Sequence, residues 1–444
     1  MVSGGIALLF LLIAVVLIIF FTARFNVNAF IVLISIAFIY GTAIGLPVTD
    51  VVAKIRDGFG GTLGYIGIVI VAGTIIGFIL EKTGAALSMT QAILKLVGKK
   101  NSPLAMSIAG YVVSIPVFCD SGYVILTPLN KALAQETGRS MSVMAVALAT
   151  GLYATHTLVP PTPGPIAAAG TLHADLGTVI ALGLIVAIPA MISGLIWATK
   201  FAKRYDIKAE LAESYDDLLK KYGTLPGAFH SFLPLLIPII LIVLSSIAAY
   251  PTKPFGAGGL AKFIAFIGDP VTALMLGVFI ALTLVRKDQL RTAADSWAGE
   301  GIKNAAIILV ITGAGGSFGA ILKASPMANF INSNLAGLPL GILLPFFISA
   351  ALKTAQGSST VAIITTASIM APLLAPLGLN PALTVLAIGA GSMVVSHAND
   401  SYFWVVSKFS NMPVSTSYKA YTTATLLEGV VAFICVAILS IFIH

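Results

Sequence analysis

Four ionisable residues lie within long apolar stretches, where a charged side chain is costly. They are Asp120, His156, His397 and Asp400. Ionisable side chains at membrane depth are rare, and they usually belong to ion or substrate pathways. Histidine titrates near neutral pH, and a carboxyl group in a dry pocket can do the same. The residue types therefore predict reversible proton binding, which would couple proton movement to another event.

These residues fall in four segments that interrupt the apolar helical patterns. The segments are 118–129, 155–165, 356–373 and 396–404. The proline-rich run 160–165 cannot continue a helix, because each proline removes a backbone donor and clashes with the preceding turn. Non-helical backbone at membrane depth persists only where protein buries it or a water-filled cavity touches it. We therefore expect a binding site where the segments meet.

Two of the segments have the composition of re-entrant hairpin tips. Residues 120–122 and 357–360 combine glycine, which permits a turn, with hydroxyl groups. A helix that begins at such a tip offers free N–H donors and partial positive charge, which suits a carboxylate. A small hydroxylated anion matches the polar side chains available, namely Ser121, Thr162, Ser358, Ser359, Thr360 and Asn399. Unwound carbonyls with hydroxyl and amide oxygens would also suit sodium, so the coupling ion stays open between proton and sodium.

The elements that position these residues are predicted to be membrane-spanning helices. Of 444 residues, 58% are hydrophobic and 9% are charged, whereas soluble domains have roughly 25% charged residues. Apolar stretches recur at 4–21, 29–46, 63–80, 179–199, 232–249, 271–285 and 426–443. Since one span needs about 20 residues, we expect an all-α polytopic membrane protein with on the order of 10–14 membrane elements. The first stretch has no basic leader and no cleavage site, so we expect it to be retained.

The chain contains an internal repeat. Residues 50–84 and 288–325 each have an amphipathic stretch, a glycine-containing turn and a glycine-spaced apolar helix that ends at Lys82 or Lys323. The offset 323 − 82 = 241 recurs for the two intramembrane histidines, as 397 − 156 = 241. Under the positive-inside rule, the basic residues place the N-terminus outside and the charged segment 200–222 inside. We expect two inverted repeats, 1–199 and 231–444, joined by a cytoplasmic connector at 200–230.

Several other classes of protein are disfavoured. The net charge of +8 comes from basic residues that stand singly between apolar runs, unlike a nucleic-acid-binding face. Cys119 and Cys435 have no metal or disulfide spacing, so no metal or other cofactor is expected. We find no hydrolase or metalloprotease motif typical of an enzyme and no filter typical of a channel. Paired interruptions favour alternating access in a secondary transporter.

Over essentially its whole length the sequence resembles the gluconate permease (gluconate:proton symporter) family of the ion-transporter superfamily. The most specific pieces are VPPTPGP at 159–165, GSSTVA from Gly357 and SHANDSYFW at 396–404. The resemblance implies proton-coupled uptake of gluconate, or a related small sugar acid or hydroxy acid anion, across a bacterial cytoplasmic (inner) membrane. It also implies a scaffold domain, a transport domain with two re-entrant hairpins, elevator-type movement and a homodimer in the lipid bilayer.

The resemblance also implies the positions that contact substrate. They are Asp120, Ser121, Gly122, Thr162, Pro163, Gly164, Gly357, Ser358, Ser359, Thr360, His397, Asn399 and Asp400. Ser121 and Thr162 depart from the pattern of gluconate-type members, so glycerate, erythronate or threonate fits about as well. A D-amino acid is a further alternative, because Asp120 could pair with its ammonium group.

Several of these residues have a structural alternative. His156 could pack between helices and bond a neighbouring carbonyl. Asp400 could pair with a lysine such as Lys408. Glu428 opens the last apolar stretch and is expected at the membrane interface. The aromatic residues near the tips are expected mainly to fill helix interfaces; they are Tyr123, Tyr402, Phe403 and Trp404.

Overall fold

The regular structure of the chain is helical. The computed structural model describes residues 2–25, 27–209, 220, 222–249, 254–256, 258–327, 330 and 341–443, and these residues contain no β-strand. The helices of the first half are α1 (Gly4–Arg24), α2 (Ala29–Ala43), α3 (Val48–Lys82), α4 (Ala85–Val97), α5 (Ser102–Val113), α6 (Cys119–Thr137), α7 (Met141–Leu158), α8 (Pro163–Thr171) and α9 (Leu176–Lys200). Those of the second half are α10 (Ala228–Ala248), α11 (Gly259–Ile267), α12 (Pro270–Leu282), α13 (Ala298–Lys323), α14 (Leu343–Gln356), α15 (Ser359–Met370), α16 (Pro381–Met393), α17 (Ser401–Phe409) and α18 (Thr423–Leu439).

Seven helical stretches in the described part of the chain are long and apolar enough to cross a membrane. They are Gly4–Thr22, Val48–Lys82, Met141–Thr171, Leu176–Arg204, Ala228–Ala248, Lys287–Lys323 and Val414–Leu439. The pair α11 and α12, bent by 61°, would make an eighth. Shorter apolar helices, such as α15 and α16, cannot span a bilayer alone, since a span needs about 20 residues. The all-α membrane fold is therefore confirmed, and the number of membrane elements stays a prediction.

Helices start where short polar side chains or prolines favour a start. Asn28 and Asp175 cap α2 and α9, with side-chain oxygens that accept backbone N–H groups at 2.9 and 2.7 Å. Asn380 does the same for α16, and Pro381 follows it at a position where no intrahelical donor is needed. These local signals set where the interrupted helices resume.

Backbone breaks occur in or beside all four predicted segments. In the first half, α5 and α6 are separated by 114–118, and α7 and α8 by 159–162. In the second half, α14 gives way to α15 at 357–358, and α16 to α17 at 394–400. The chain thus exposes free helix ends in the middle of apolar sequence.

The two longest helices cross at small residues. A Cβ atom at Gly58 of α3 would lie 2.7 Å from the Cβ of Ala320 in α13. The hydroxyl of Ser317 in α13 donates to the backbone oxygen of Ile55 at 2.8 Å. Small residues allow such close backbone approach, which drives helix association in membranes.

We expect Gly58→Ala to lower the melting temperature of the detergent-solubilised protein, because the added methyl overlaps α13. Overpacking of this kind costs about 1–3 kcal/mol. Gly61→Ala on the same helix is the matched control, since no atom lies within 4 Å of its added Cβ. Equal melting shifts for the two variants would contradict the proposed crossing.

Candidate functional site

The helix breaks surround a cavity of about 210 Å³, called the tip cavity here. Its lining residues are Phe118, Cys119, Asp120, Tyr153, His156, Ile307, Ile308, Ile311, Ser358, Ser359, Thr360, Val361, Ile364, Asp400, Ser401 and Tyr402. They come from both halves of the chain. Among the residues predicted to act, the structure brings Asp120, His156, 358–360 and Asp400 to this one cavity.

Three helix N-termini open onto the tip cavity. The first residues of α6, α15 and α17 are Cys119, Ser359 and Ser401, and each of them lines it. The first N–H groups of a helix have no intrahelical partner and carry partial positive charge. Converging N-termini therefore favour a small anion with several hydrogen-bond acceptors.

Asp120 lies in the first turn of α6 and faces this cavity. Its Oδ1 is buried and has no hydrogen-bond partner within the described residues. The negative charge of Asp400 repels an ionised Asp120, and the positive charge of Lys353 attracts it. Binding or releasing a proton at Asp120 therefore changes the net charge that an incoming anion meets.

Asp400 forms a buried ion pair with Lys353. Their Oδ2 and Nζ atoms are 2.6 Å apart, and the side chains are 7% and 0% exposed. Lys353 Nζ also donates to the backbone oxygen of Gly357 at 2.5 Å, while Asp400 accepts from the Ser396 hydroxyl. Asp400 Oδ1 accepts the Tyr402 N–H at 3.0 Å and so caps α17. The Lys353–Asp400 ion pair thus connects the hairpin tip between α14 and α15 to the helix break before α17.

The alternative that Asp400 pairs with a lysine is confirmed, but the partner is not the expected Lys408. Lys408 Nζ lies over the ring of Trp404, 5.8 Å from its centroid, whereas Lys353 pairs with Asp400 from 47 residues away. Sequence reasoning missed Lys353, although a lysine four residues before Gly357 in an apolar helix was an available signal.

His156 lies in the last turn of α7, in the wall of the tip cavity. It is 5% exposed, its ring centroid is 6.1 Å from that of Phe118, and its Nδ1 has no hydrogen-bond partner in the described chain. The packing alternative for His156 expected a hydrogen bond to a neighbouring carbonyl, and Nδ1 makes no such bond within the described residues. A role of His156 in substrate or proton binding stays a prediction.

His397 and Asn399 bond to the end of α14 and are not among the residues that line the tip cavity. His397 Nε2 lies 2.8 Å from the Thr354 oxygen, and Asn399 Nδ2 donates to the same oxygen at 2.9 Å. Gly357 has φ +91°, and the backbone of Asn399 passes so close that a Cβ would clash with it. These residues hold the tip in place, and their contact with substrate stays a prediction.

The remaining predicted residues of the first half also face protein. Ser121 is half-buried in the first turn of α6 and is not among the residues that line the tip cavity. Thr162 donates its hydroxyl to the Val159 oxygen at 2.6 Å. The other three pack against neighbouring helices: Gly122 against Leu152, Gly164 against Ile363, and Pro163 at the buried start of α8. Substrate contact by all five stays a prediction.

Aromatic residues fill the helix interfaces around the cavity. Tyr402 and Tyr153 donate their hydroxyls to the backbone oxygens of Ala149 and Ser392, at 3.0 and 3.1 Å. Tyr123 and Phe403 are fully buried. Sequence reasoning did not single out Tyr153, which also lines the tip cavity. The expectation for Glu428 is wrong, because this residue is fully buried within α18.

Interrupted helices that meet at a shared cavity place the chain in the class of multi-pass membrane proteins with a transporter fold. The YdaH transporter of Alcanivorax borkumensis, a solved structure, superposes with a TM-score of 0.68 at 16% identity. The match covers 93% of this chain and 98% of that chain, and it shows the fold alone.

The chain belongs to the GntP family of permeases, whose model matches residues 6–442. It is 34% identical to a gluconate permease of Pseudomonas aeruginosa, over 97% of this chain and 96% of the relative. It is also 34% identical to a D-serine transporter of Escherichia coli, over 98% of both chains. The protein is therefore a permease and not an enzyme.

Proposed function

We propose that the protein is a proton-coupled secondary transporter, which takes up gluconate or a related small sugar acid or hydroxy acid anion across a bacterial cytoplasmic membrane. The observation that carries this proposal is the meeting of three helix N-termini at a cavity that also contains Asp120. A carboxylate suits the N-termini, and serine and threonine hydroxyls at 358–360 suit the hydroxyls of such an acid. The gluconate permease relative supports the same class of substrate.

The charges around the tip cavity explain how a proton and an anion would bind together. Lys353 and Asp400 neutralise each other, so the protonation of Asp120 decides the charge that the anion meets. Ionised Asp120 repels an anion, whereas protonated Asp120 is neutral and offers a hydrogen-bond donor. Anion binding therefore favours the protonated form, and proton release favours substrate release.

Lys353 also bears on the choice between proton and sodium. Its ammonium group contacts a carbonyl of the hairpin tip and a carboxylate of the broken helix. Those are the ligand types that would hold a sodium ion in an unwound transporter segment. We infer that the lysine takes the place of a metal cation at this position, which supports proton coupling.

Uptake by proteoliposomes tests the substrate and the ion together. With labelled gluconate, glycerate, threonate and D-serine, we expect an acid exterior to drive accumulation of at least one sugar acid or hydroxy acid. One proton per monoanion limits accumulation to about tenfold per pH unit. A sodium gradient at equal pH is the control, and it should have no effect. Accumulation driven by sodium alone would contradict the proton assignment.

Transport of a D-amino acid, or of another small carboxylate with sodium, is the second candidate. The D-serine transporter relative is as similar to this chain as the gluconate permease. An ionised Asp120 would then pair with the ammonium group, so binding would favour the ionised form. Uptake of D-serine that outcompetes the acids would favour this candidate.

We further propose that the chain contains two inverted repeats and moves by an elevator mechanism. The reason is that equivalent elements of the two halves recur at one constant distance along the sequence. The spacing between the starts of α5 and α14 is 343 − 102 = 241 residues, and the spans that end at Lys82 and Lys323 differ by the same number. The connector at 200–230 is described in part: Ser140 accepts the Ile207 N–H at 3.0 Å, and residues 210–219 and 221 lie outside the described residues. The domain boundaries, the topology and the homodimer stay predictions.

A further inference from the structure

Glu428 is a fully buried carboxyl group outside the tip cavity. It lies near the middle of the span Val414–Leu439, on the inner face of α18, with a relative exposure of 0%. Neither carboxyl oxygen has a hydrogen-bond partner among the described residues. The side chain thus adds no hydrogen bond to the described fold, and a purely structural role gains little from its polar end.

The surroundings of Glu428 offer no charge to balance an ionised carboxylate. Helices α7, α9 and α16 pack against α18. The only ionisable residue of α9 is Lys200 at its end, and α16 has none. Helix α7 contributes Tyr153 and, about one turn later, His156. Tyr421 precedes Glu428 by seven residues within the same span Val414–Leu439. Among the described residues, no charged side chain forms a hydrogen bond with the Glu428 carboxyl.

Tyr153 reaches from the tip cavity to helix α16. Its hydroxyl donates to the backbone oxygen of Ser392 in α16 at 3.1 Å. Helix α16 packs against α18 next to Glu428, where a Cβ atom at Gly429 would lie 2.8 Å from the Ala390 oxygen. Tyr153 and Ser359 both line the tip cavity. The Tyr153 hydroxyl therefore lies between the tip cavity and the part of α16 that packs against the buried face of α18.

We propose that Glu428 is a second group that carries the coupled proton during the transport cycle, reached from the tip cavity past Tyr153. An ionised carboxylate buried without partners is very costly, whereas the neutral acid is tolerated. Glu428 therefore carries a proton in the conformation described. The inference rests on the proposed proton coupling, and it adds a site that the tip cavity does not contain.

The proposed step moves only a proton. When water enters beside α18, the O–H bond of the Glu428 acid breaks and its proton passes to that water, which relays a proton past Tyr153 to water in the tip cavity. The carboxylate that remains needs water or a donor. Release is therefore tied to a conformation in which the inner face of α18 is hydrated, and such a link between protonation and conformation is what coupling requires.

Glu428→Gln tests this role, because an amide has a similar shape and stays neutral. Wild type and variant are reconstituted in proteoliposomes with the acid that the wild type accumulates best. We expect exchange of labelled for unlabelled acid at equal pH to stay within about twofold, as substrate sites are untouched. We expect accumulation driven by the pH gradient to fall from about tenfold per pH unit to no accumulation. Glu428→Asp keeps a titratable group and should retain part of the accumulation.

The outcomes separate this inference from the proposed function. A Glu428→Gln variant that accumulates as the wild type does would overturn the inference and leave the proposed function intact. Loss of both exchange and accumulation in a monodisperse variant would show a structural role and would also overturn it. If the amide variant does not fold, Glu428→Met fills the same apolar space. Its exchange and accumulation then serve as the same test. A wild type that ignores the pH gradient refutes the proposed coupling, and the inference with it.

Discussion

Asp120→Asn is expected to abolish accumulation driven by a pH gradient while leaving exchange of substrate at equal pH. Asparagine keeps the shape of the side chain and offers a donor, as the protonated acid does, but it cannot release a proton. The tip cavity then accepts the anion in every conformation. In proteoliposomes, the roughly tenfold accumulation per pH unit expected for one proton should disappear, with exchange rates within a few-fold of wild type.

Ser121→Ala is the matched control for this variant. Ser121 is the next residue of the same tip, but it is not among the residues that line the tip cavity. Because Ser121→Ala removes no ionisable group, we expect it to reach the same gradient-driven accumulation as the wild type. Full gradient-driven accumulation by Asp120→Asn would refute the coupling role of Asp120. Loss of exchange as well would favour a cationic substrate group paired with Asp120, as in the D-amino acid alternative.

The parts of the site that sequence predicted are those fixed by local backbone chemistry. Proline and glycine determine where a helix stops, so the breaks near 160 and 357 follow from residue type alone. Because the breaks recur in both halves, the meeting of Asp120, His156, 358–360 and Asp400 at one cavity was also foreseeable. Local chemistry thus predicted the elements that surround the site.

The pairings that depend on packing were not predictable from one sequence. Lys353 and Asp400 are 47 residues apart, and a lysine in a short helix is equally compatible with the membrane interface. Glu428 lies early in an apolar stretch, and hydropathy does not show which face of that helix is buried. Its burial follows only from the packing of α7, α9 and α16 against α18.

Polar residues in a broken helix are ambiguous for a related reason. A break leaves orphan carbonyls as well as orphan N–H groups, and nearby side chains can satisfy either these groups or a ligand. His397 and Asn399 bond to the Thr354 oxygen at the end of α14, whereas Ser358 and Thr360 line the tip cavity. Residue type alone does not show whether such a side chain bonds to the backbone of the break or faces the cavity. In the structure, His397 and Asn399 bond to the backbone, and Ser358 and Thr360 face the cavity.

Lys353→Met is expected to have the largest effect on stability, because it leaves the Asp400 carboxylate buried without its counter-charge. Removing one partner of a buried ion pair typically costs about 3–5 kcal/mol, whereas replacing both partners is often nearly neutral. We therefore expect a large fall in the melting temperature of the purified protein in detergent. The double variant Lys353→Met, Asp400→Asn should recover most of that loss.

Lys408→Met is the matched control for the loss of a lysine near the same break. This exposed lysine contacts the Trp404 ring, an interaction worth about 0.5–1 kcal/mol at an exposed site, so its melting shift should be small. A double variant as unstable as Lys353→Met would show that Lys353 stabilises the tip through Gly357 alone and not through Asp400. If the double variant recovers its melting temperature without added sodium, the proton-coupling proposal stands. Recovery that requires sodium would show that a metal ion can replace the ammonium group, since both would then satisfy the Gly357 carbonyl and neighbouring oxygens.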